Sequence, residues 1–308
     1  MKAKVIVNPA ARRGKSGKSW PEVEQKLRGH LGDFDPTFTD APGAGNGIAK
    51  QALQDGHSQF VVVGGDGTLN EVLNGITEDG RLSNPDSLLC PIPAGTANET
   101  CRALGMLKEP DGAFRALSEG TVRPMDLIMA DCQGLDGGTV RRAGILLGSV
   151  GSAAEISYRT NNSRFAKRLG REFSYYFVTI MTTLTYKPPT VRMRIDDAID
   201  EEVTVFSVLC CNVENAGGGM RIAPGAQFDD GMLDIVMFGD MKRREILLRP
   251  PSWLFEGRHV DHPLVRVMRG RHVQFDGDPS VLVDMDGETI GHLPVTIDVV
   301  PGALNVKY

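Results

Sequence analysis

At 308 residues and 41% hydrophobic content, the chain is long enough to fold without a partner into two compact domains with substantial cores. Its formal net charge of -5 argues against general nucleic-acid binding, and five cysteines without a Cys-x-x-Cys spacing argue against a disulfide framework or zinc site. No apolar run approaches the roughly 20 residues that cross a bilayer, and Met1-Lys2-Ala3-Lys4 leads straight into strand-like sequence rather than a signal peptide, so a cytoplasmic protein with reduced, packed thiols is expected.

In chain order, the strand-like residues 4–7 end in Asn8-Pro9-Ala10-Ala11-Arg12-Arg13-Gly14-Lys15, a polar, basic, glycine-containing turn that suits an anion. Helices are predicted over 20–31 and 47–54, with Phe38-Thr39-Asp40 between them. Val61-Val62-Val63 then runs into Gly64-Gly65-Asp66-Gly67-Thr68-Leu69-Asn70-Glu71. This reads as a buried strand turning into a helix over 69–76. Its glycines permit positive φ and close backbone approach, and the amides at the helix start can receive phosphate oxygens. Asp66 stands where a metal-bound phosphate would lie; as part of a plain tight turn it would be a helix N-cap. A further β-like run, 88–92, leads into Pro93-Ala94-Gly95-Thr96-Ala97-Asn98-Glu99 and a helical stretch through Leu104. In an open α/β sheet, loops at the carboxyl ends of strands converge on one crevice, so the three loops could build a single nucleotide site. None is a Walker loop or a dinucleotide fingerprint. The alternation predicts a parallel α/β domain.

After Thr121-Val122-Arg123-Pro124 the texture changes to β-like runs at 126–130, 144–148, 191–195, 204–211, 233–238, 272–275 and 295–300, which predicts a second, mainly antiparallel, β-sandwich-like domain. A helical stretch over 163–184 interrupts it. There Arg159, Arg164, Lys167, Arg168 and Arg171 are interleaved with Phe165 and Leu169 and followed by Phe173, Tyr175, Tyr176 and Phe177. Such a segment could rest on anionic headgroups, or be a solvated helix whose aromatics enter the core. Lys242-Arg243-Arg244 with Arg249 is a weaker basic group. Gly217-Gly218-Gly219 reads as a flexible turn. His259-Val260-Asp261-His262 lacks supporting metal ligands and is expected in a surface loop. Asp229-Asp230-Gly231 crowds acids into a tight turn that could hold a divalent cation or none. Asp284-Met285-Asp286-Gly287-Glu288 offers Asp286 as a general base, with a two-residue hairpin as the alternative. Glu288 could hold nucleotide or metal, or be solvated; Asp284 is left unassigned.

In wording and order, Asn8-Pro9 with Gly14, the segment from Gly64 to Glu71, Pro93 to Asn98, Ala223-Pro224 with Asp229 to Asp234, and Asp284 to Glu288 resemble the diacylglycerol kinase catalytic family, which also includes sphingosine and ceramide kinases. Gly-Gly-Asp-Gly-Thr occurs in NAD kinases too, and the C-terminal segments favour a lipid kinase. The resemblance implies an ATP- and Mg2+-dependent transfer of phosphate to a hydroxyl of diacylglycerol or a related membrane lipid. It assigns ATP to Asn8, Pro9, Ala10, Ala11, Arg12, Thr39, Gly65, Asp66, Gly67, Thr68, Leu69, Asn70, Glu71 and Thr96, with Glu288 assisting. Asp286 matches the family's proton acceptor, and Asp230 with the carbonyls of Gln227 and Met232 matches a magnesium site. Residues 1–124 would bind nucleotide and 125–297 the lipid, with 298–308 returning to the first domain. The basic aromatic segment adds an expectation of peripheral contact with the inner face of an anionic membrane, and a homodimer is a further expectation. Two positions depart from the family pattern: Arg12 stands where a glycine is common, and Glu99 where an aspartate is. The alternatives are a kinase of sphingoid or other lipid alcohols and a catalytically weak, nucleotide-dependent lipid-binding regulator.

Overall fold

The computed structural model describes residues 3–163 and 171–308, with backbone alone for 171–174. Arg164, Phe165, Lys167, Arg168 and Leu169 of the expected membrane segment therefore lie outside the described residues, as do the side chains of Arg171 and Phe173.

Strands β1 (Ala3–Val7), β2 (Pro36–Phe38) and β3 (Gln59–Gly64) and the later β6 (Leu88–Pro93) form a parallel sheet ordered β6-β3-β1-β2; β4 (Thr77–Glu78) and β5 (Arg81–Leu82) make a small separate hairpin. β3 is buried along its whole length, which is why Val61-Val62-Val63 shows no alternation. Helices α1 (Lys15–Leu31), α2 (Ala44–Gln54) and α3 (Asp66–Ile76) start earlier than residues 20, 47 and 69, where apolar periodicity places them. Their first turns are glycine-rich and polar, and carry no hydrophobic period to read. Helices α4 (Glu99–Ala103) and α5 (Gly112–Glu119) complete this half.

The remainder is the expected antiparallel domain, built from β7 (Val122–Gly134), β8 (Thr139–Gly144), β9 (Leu147–Gly151), β10 (Thr190–Ile195), β11 (Ile199–Cys211), β12 (Leu233–Gly239), β13 (Val265–Gly270), β14 (His272–Asp276), β15 (Leu282–Met285) and β16 (Glu288–Lys307). Pairing closes on itself through β11-β9-β15-β16-β14-β10. That circuit packs Val150, Met193, Val208, Phe275, Val283 and Ile297 into a common core. β16 pairs with β7 from Gly291↔Gly134 to Lys307↔Val122 and meets β6 in parallel at Val306↔Leu89, so one strand joins both sheets and runs unbroken across residue 298. Helix α6 (Ser152–Asn162), absent from the sequence reading, precedes α7 (Arg171–Thr185); α8 (Arg243–Leu247) and α9 (Ser252–Phe255) are short.

All five cysteines are buried and free, as packing residues should be. His259 corrects the surface-loop expectation: it is fully buried, stacked on Phe238, with Nε2 2.8 Å from the Ile222 carbonyl, and burial lowers its pKa. The flanking Trp253 and Phe238, far apart in sequence, create that pocket.

Candidate active site

Parallel register places the ends of β1, β3 and β6 side by side, with Val7 opposite Val63 and Gly64 opposite Pro93. The three loops that leave them therefore touch. Asn8 Nδ2 donates to Thr68 Oγ1 at 2.8 Å, Asn8 Oδ1 accepts the Ala10 N–H at 3.0 Å, and the Pro9 carbonyl accepts the Gly17 N–H at 3.1 Å. Thr39, buried at the end of β2, donates its N–H to the Val7 carbonyl at 2.9 Å. Gly65 and Gly95 press backbone to backbone: a Cβ on Gly95 would sit 2.4 Å from the Gly65 Cα. Gly95→Ala is accordingly expected to force the loops apart and to cost about 1–3 kcal/mol of stability; an unchanged denaturation midpoint would show that they separate freely.

Two acidic residues assigned to nucleotide serve neighbouring helices in this structure. Asp66 opens α3, whose N-cap is Gly65, yet its carboxylate accepts from α4: Oδ1 from the Thr100 N–H and hydroxyl at 3.0 and 3.1 Å, and Oδ2 from the Glu99 N–H at 3.1 Å. Glu71 accepts the Gly43 and Gly45 N–H groups at 2.8 and 2.9 Å, at the start of α2. Leu69 is in the hydrophobic core. Ala10, Gly67 and Thr96 are exposed, and Ala11 is half-buried. Arg12 is exposed at φ 50°, and Arg13 follows at 59°. This is the left-handed region that glycine adopts freely, so the glycine common at position 12 in the family suits the same turn.

Asp286 and Gly287, at φ 53° and 88°, form the two-residue turn between β15 and β16. The Asp286 carboxylate accepts four hydrogen bonds: Ile145 N–H (2.7 Å) and Asn70 Nδ2 (2.9 Å) at Oδ2, Leu146 N–H (2.8 Å) and Leu147 N–H (3.0 Å) at Oδ1. Burial raises its pKa above the ordinary aspartate value, opposed by these donors. Asn70 lies on α3, four residues after Asp66, so one helix links the phosphate-type loop to this carboxylate. Asn70 Oδ1 accepts from Arg142 Nη2 at 2.7 Å, and the same nitrogen lies 3.2 Å from Glu288 Oε2. Glu288 Oε1 reaches back to Gly67, where it would be 3.9 Å from a Cβ. Burial raises the Glu288 pKa, with Arg142 opposing.

Sequence pattern alone does not mark Arg142 or the amides of 145–147. An Arg141-Arg142 pair ahead of an apolar run was the one available signal for Arg142. Glu99 is buried, and its Oε1 accepts the Gly218 and Gly219 N–H groups at 2.7 and 2.5 Å, which gives the triple-glycine turn a specific contact with the first domain.

The Asp230 turn stands apart from this cluster in its bonding. Oδ1 accepts the Met232 N–H at 3.0 Å and Oδ2 is paired with Arg269, while Gln227 is exposed. With a guanidinium already on the carboxylate, the residues as placed do not fit a divalent cation. At Asp66, Oδ2 accepts one donor and keeps an acceptor site for a metal-bound water.

Comparison with known proteins gives two family matches: the diacylglycerol kinase catalytic domain over residues 2–130, and the YegS C-terminal NAD kinase beta sandwich-like domain over residues 148–308. The chain is similar to a diacylglycerol kinase of Bacillus subtilis, at 26% identity over 295 residues, 95% of this chain and 91% of that protein. Its fold is similar to that of a solved Bacillus anthracis protein assigned as a diacylglycerol kinase, with a TM-score of 0.77, 22% identity, and 100% and 95% of the two chains covered. A lesser likeness, with a TM-score of 0.51, 12% identity, and 100% and 94% covered, is to an NAD kinase from Archaeoglobus fulgidus in complex with ATP.

Proposed function

This chain belongs to the diacylglycerol kinase catalytic family and is a lipid kinase by class, and from that premise we propose that it transfers the terminal phosphate of ATP to a hydroxyl of diacylglycerol or a related membrane lipid. The observation that carries this reading is the placement of Asp286: one helix, α3, begins in the glycine loop suited to phosphate and bonds the half-buried carboxylate through Asn70.

Phosphoryl transfer asks chiefly for positioning, charge neutralisation and a proton acceptor. The lipid hydroxyl oxygen attacks the terminal phosphorus, the bond to the bridging oxygen breaks, and ADP departs with that electron pair. The hydroxyl proton passes to Asp286. Three of the four donors on this carboxylate are backbone amides, so the Asn70 side chain is the one that can yield an acceptor site as the hydroxyl arrives. A raised pKa makes the carboxylate a better base for an alcohol. Magnesium bound with the nucleotide would supply neutralising charge, and Asp66 Oδ2 would contact its water shell.

The acceptor resides in a bilayer, and α7 offers a surface for it. Tyr176, Ile180, Met181 and Leu184, spaced along one face, are each 40% exposed or more, and Leu248 at the end of α8 is 82% exposed. Arg243 of α8 bonds the Tyr186 carbonyl just beyond α7, which places the basic Lys242-Arg243-Arg244 group beside this apolar stripe. Ile180→Glu with Leu184→Glu is expected to reduce flotation with anionic vesicles several-fold, most visibly at low salt. Unchanged flotation would remove this surface from the account.

The deciding test is transfer of labelled terminal phosphate from ATP to diacylglycerols and sphingoid bases in mixed micelles, with NAD as a soluble acceptor. A labelled lipid that disappears with Asp286→Asn supports the proposal and names the acceptor. Efficient labelling of NAD without micelles would sink it.

A further inference from the structure

The base turn is strongly acidic, with Asp284, Asp286 and Glu288 within five residues, and a transferring phosphoryl group adds negative charge beside it. A phosphoryl group so placed needs a positive partner. Among the described residues bonded to Asp286, Asn70 and Glu288, Arg142 supplies the one cation. Its side chain is 26% exposed, so it is held by the protein yet open to a ligand. One nitrogen, Nη2, serves both Asn70 Oδ1 and Glu288 Oε2, while Nε and Nη1 have no protein partner among the described residues. A guanidinium carries five N–H donors in a planar fork, so three remain for an anion. Glu288, which anchors one edge of that fork, also borders Gly67 in the phosphate-type loop.

We propose that Arg142 is a catalytic residue: its guanidinium binds the transferring phosphoryl group and aligns it with Asp286, with Asn70 and Glu288 as the struts that set the plane of the fork. The inference rests on the phosphoryl-transfer reading above. The electron movements are those already given. Arg142 exchanges no proton, since a guanidinium stays charged at any working pH. Charge on the three equatorial oxygens of a loose transition state is what such a fork can match.

The simpler reading is a partly exposed ion pair between Arg142 and Glu288 that only steadies β8 against the turn. Arg142→Ala, Arg142→Lys and wild type, assayed for lipid phosphorylation with the same micelle panel, separate the two. For a phosphoryl-binding fork, Arg142→Ala is expected to lower kcat roughly 10³-fold, with ATP binding kept within a few-fold and the melting profile little changed. Added guanidinium ion should restore part of the lost rate, and Arg142→Lys should fall between, because it keeps the charge and loses the fork. An active wild type with Arg142→Ala within a few-fold of it overturns this inference alone. So does a loss that guanidinium fails to rescue and that tracks a lowered melting temperature. A wild type that phosphorylates no lipid of the panel overturns the phosphoryl-transfer reading, and this inference with it.

Discussion

Asp286→Asn is expected to reduce kcat by roughly 10²–10⁴, the usual contribution of a positioned general base, and to destabilise the fold as well. Asparagine tolerates a positive φ, so the turn at 53° survives the change. The hydrogen bonding does not. Both carboxylate oxygens face donors, Ile145 N–H and Asn70 Nδ2 on one side and the Leu146 and Leu147 N–H groups on the other. An amide nitrogen placed on either side meets donors with a donor, at a cost of about 1–3 kcal/mol. Turnover at saturating ATP, measured beside an unfolding curve, separates the two effects. A folded variant that keeps more than roughly a tenth of wild-type kcat would exclude Asp286 as the base.

Asp284→Asn is expected to stabilise the protein by an amount that grows with pH. Asp284 is 2% exposed; its Oδ1 accepts the Gly287 N–H at 3.1 Å, and its Oδ2 has no hydrogen-bond partner among the described residues. Burial pushes its pKa up to about 7; the Gly287 and Ser157 hydrogen bonds oppose this, while Asp286 and Glu288 reinforce it, and Tyr175 lies on the facing helix α7. The native state thus holds a proton that an unfolded aspartate releases near pH 4. The associated stability is complete below that pH, declines as pH rises above it, and is lost through pH 7, by roughly 4 kcal/mol in all. An asparagine stays neutral throughout and keeps an oxygen for Gly287. Denaturant unfolding at pH 5 and pH 8 checks this: parallel pH dependence in the variant and the wild type would rule out Asp284 as the titrating group.

The Asp286-Gly287 turn shows how far local pattern carries. Read alone, Asp-Gly between β-like runs is a hairpin loop, and it is one, with positive φ at both residues as a type I′ turn requires. The hairpin and the half-buried carboxylate cluster are the same feature: the Asp-Gly spacing offers both a turn and a general base, and the resemblance weights the second. The Asp66 and Glu71 carboxylates show a different limit. Local pattern offers a helix N-terminus its own preceding residues as caps, whereas these two carboxylates serve the starts of α4 and α2, 33 and 28 residues away. His259 and Glu99 likewise have surroundings assembled from distant segments.

The amino-acid order by itself determined the parallel α/β half, the antiparallel half, the three strand-turn-helix loops and the free, buried cysteines. Apolar periodicity, glycine turns and cysteine spacing are properties of neighbouring residues and survive in one dimension. Tertiary structure decided which donors meet which acids. Arg142 reaches Asn70 across 72 residues, and Asn70 reaches Asp286 across 216. Contacts of that span leave no periodic trace, because they exist only once β8, α3 and the β15–β16 turn have packed together and excluded the water that would otherwise satisfy each group.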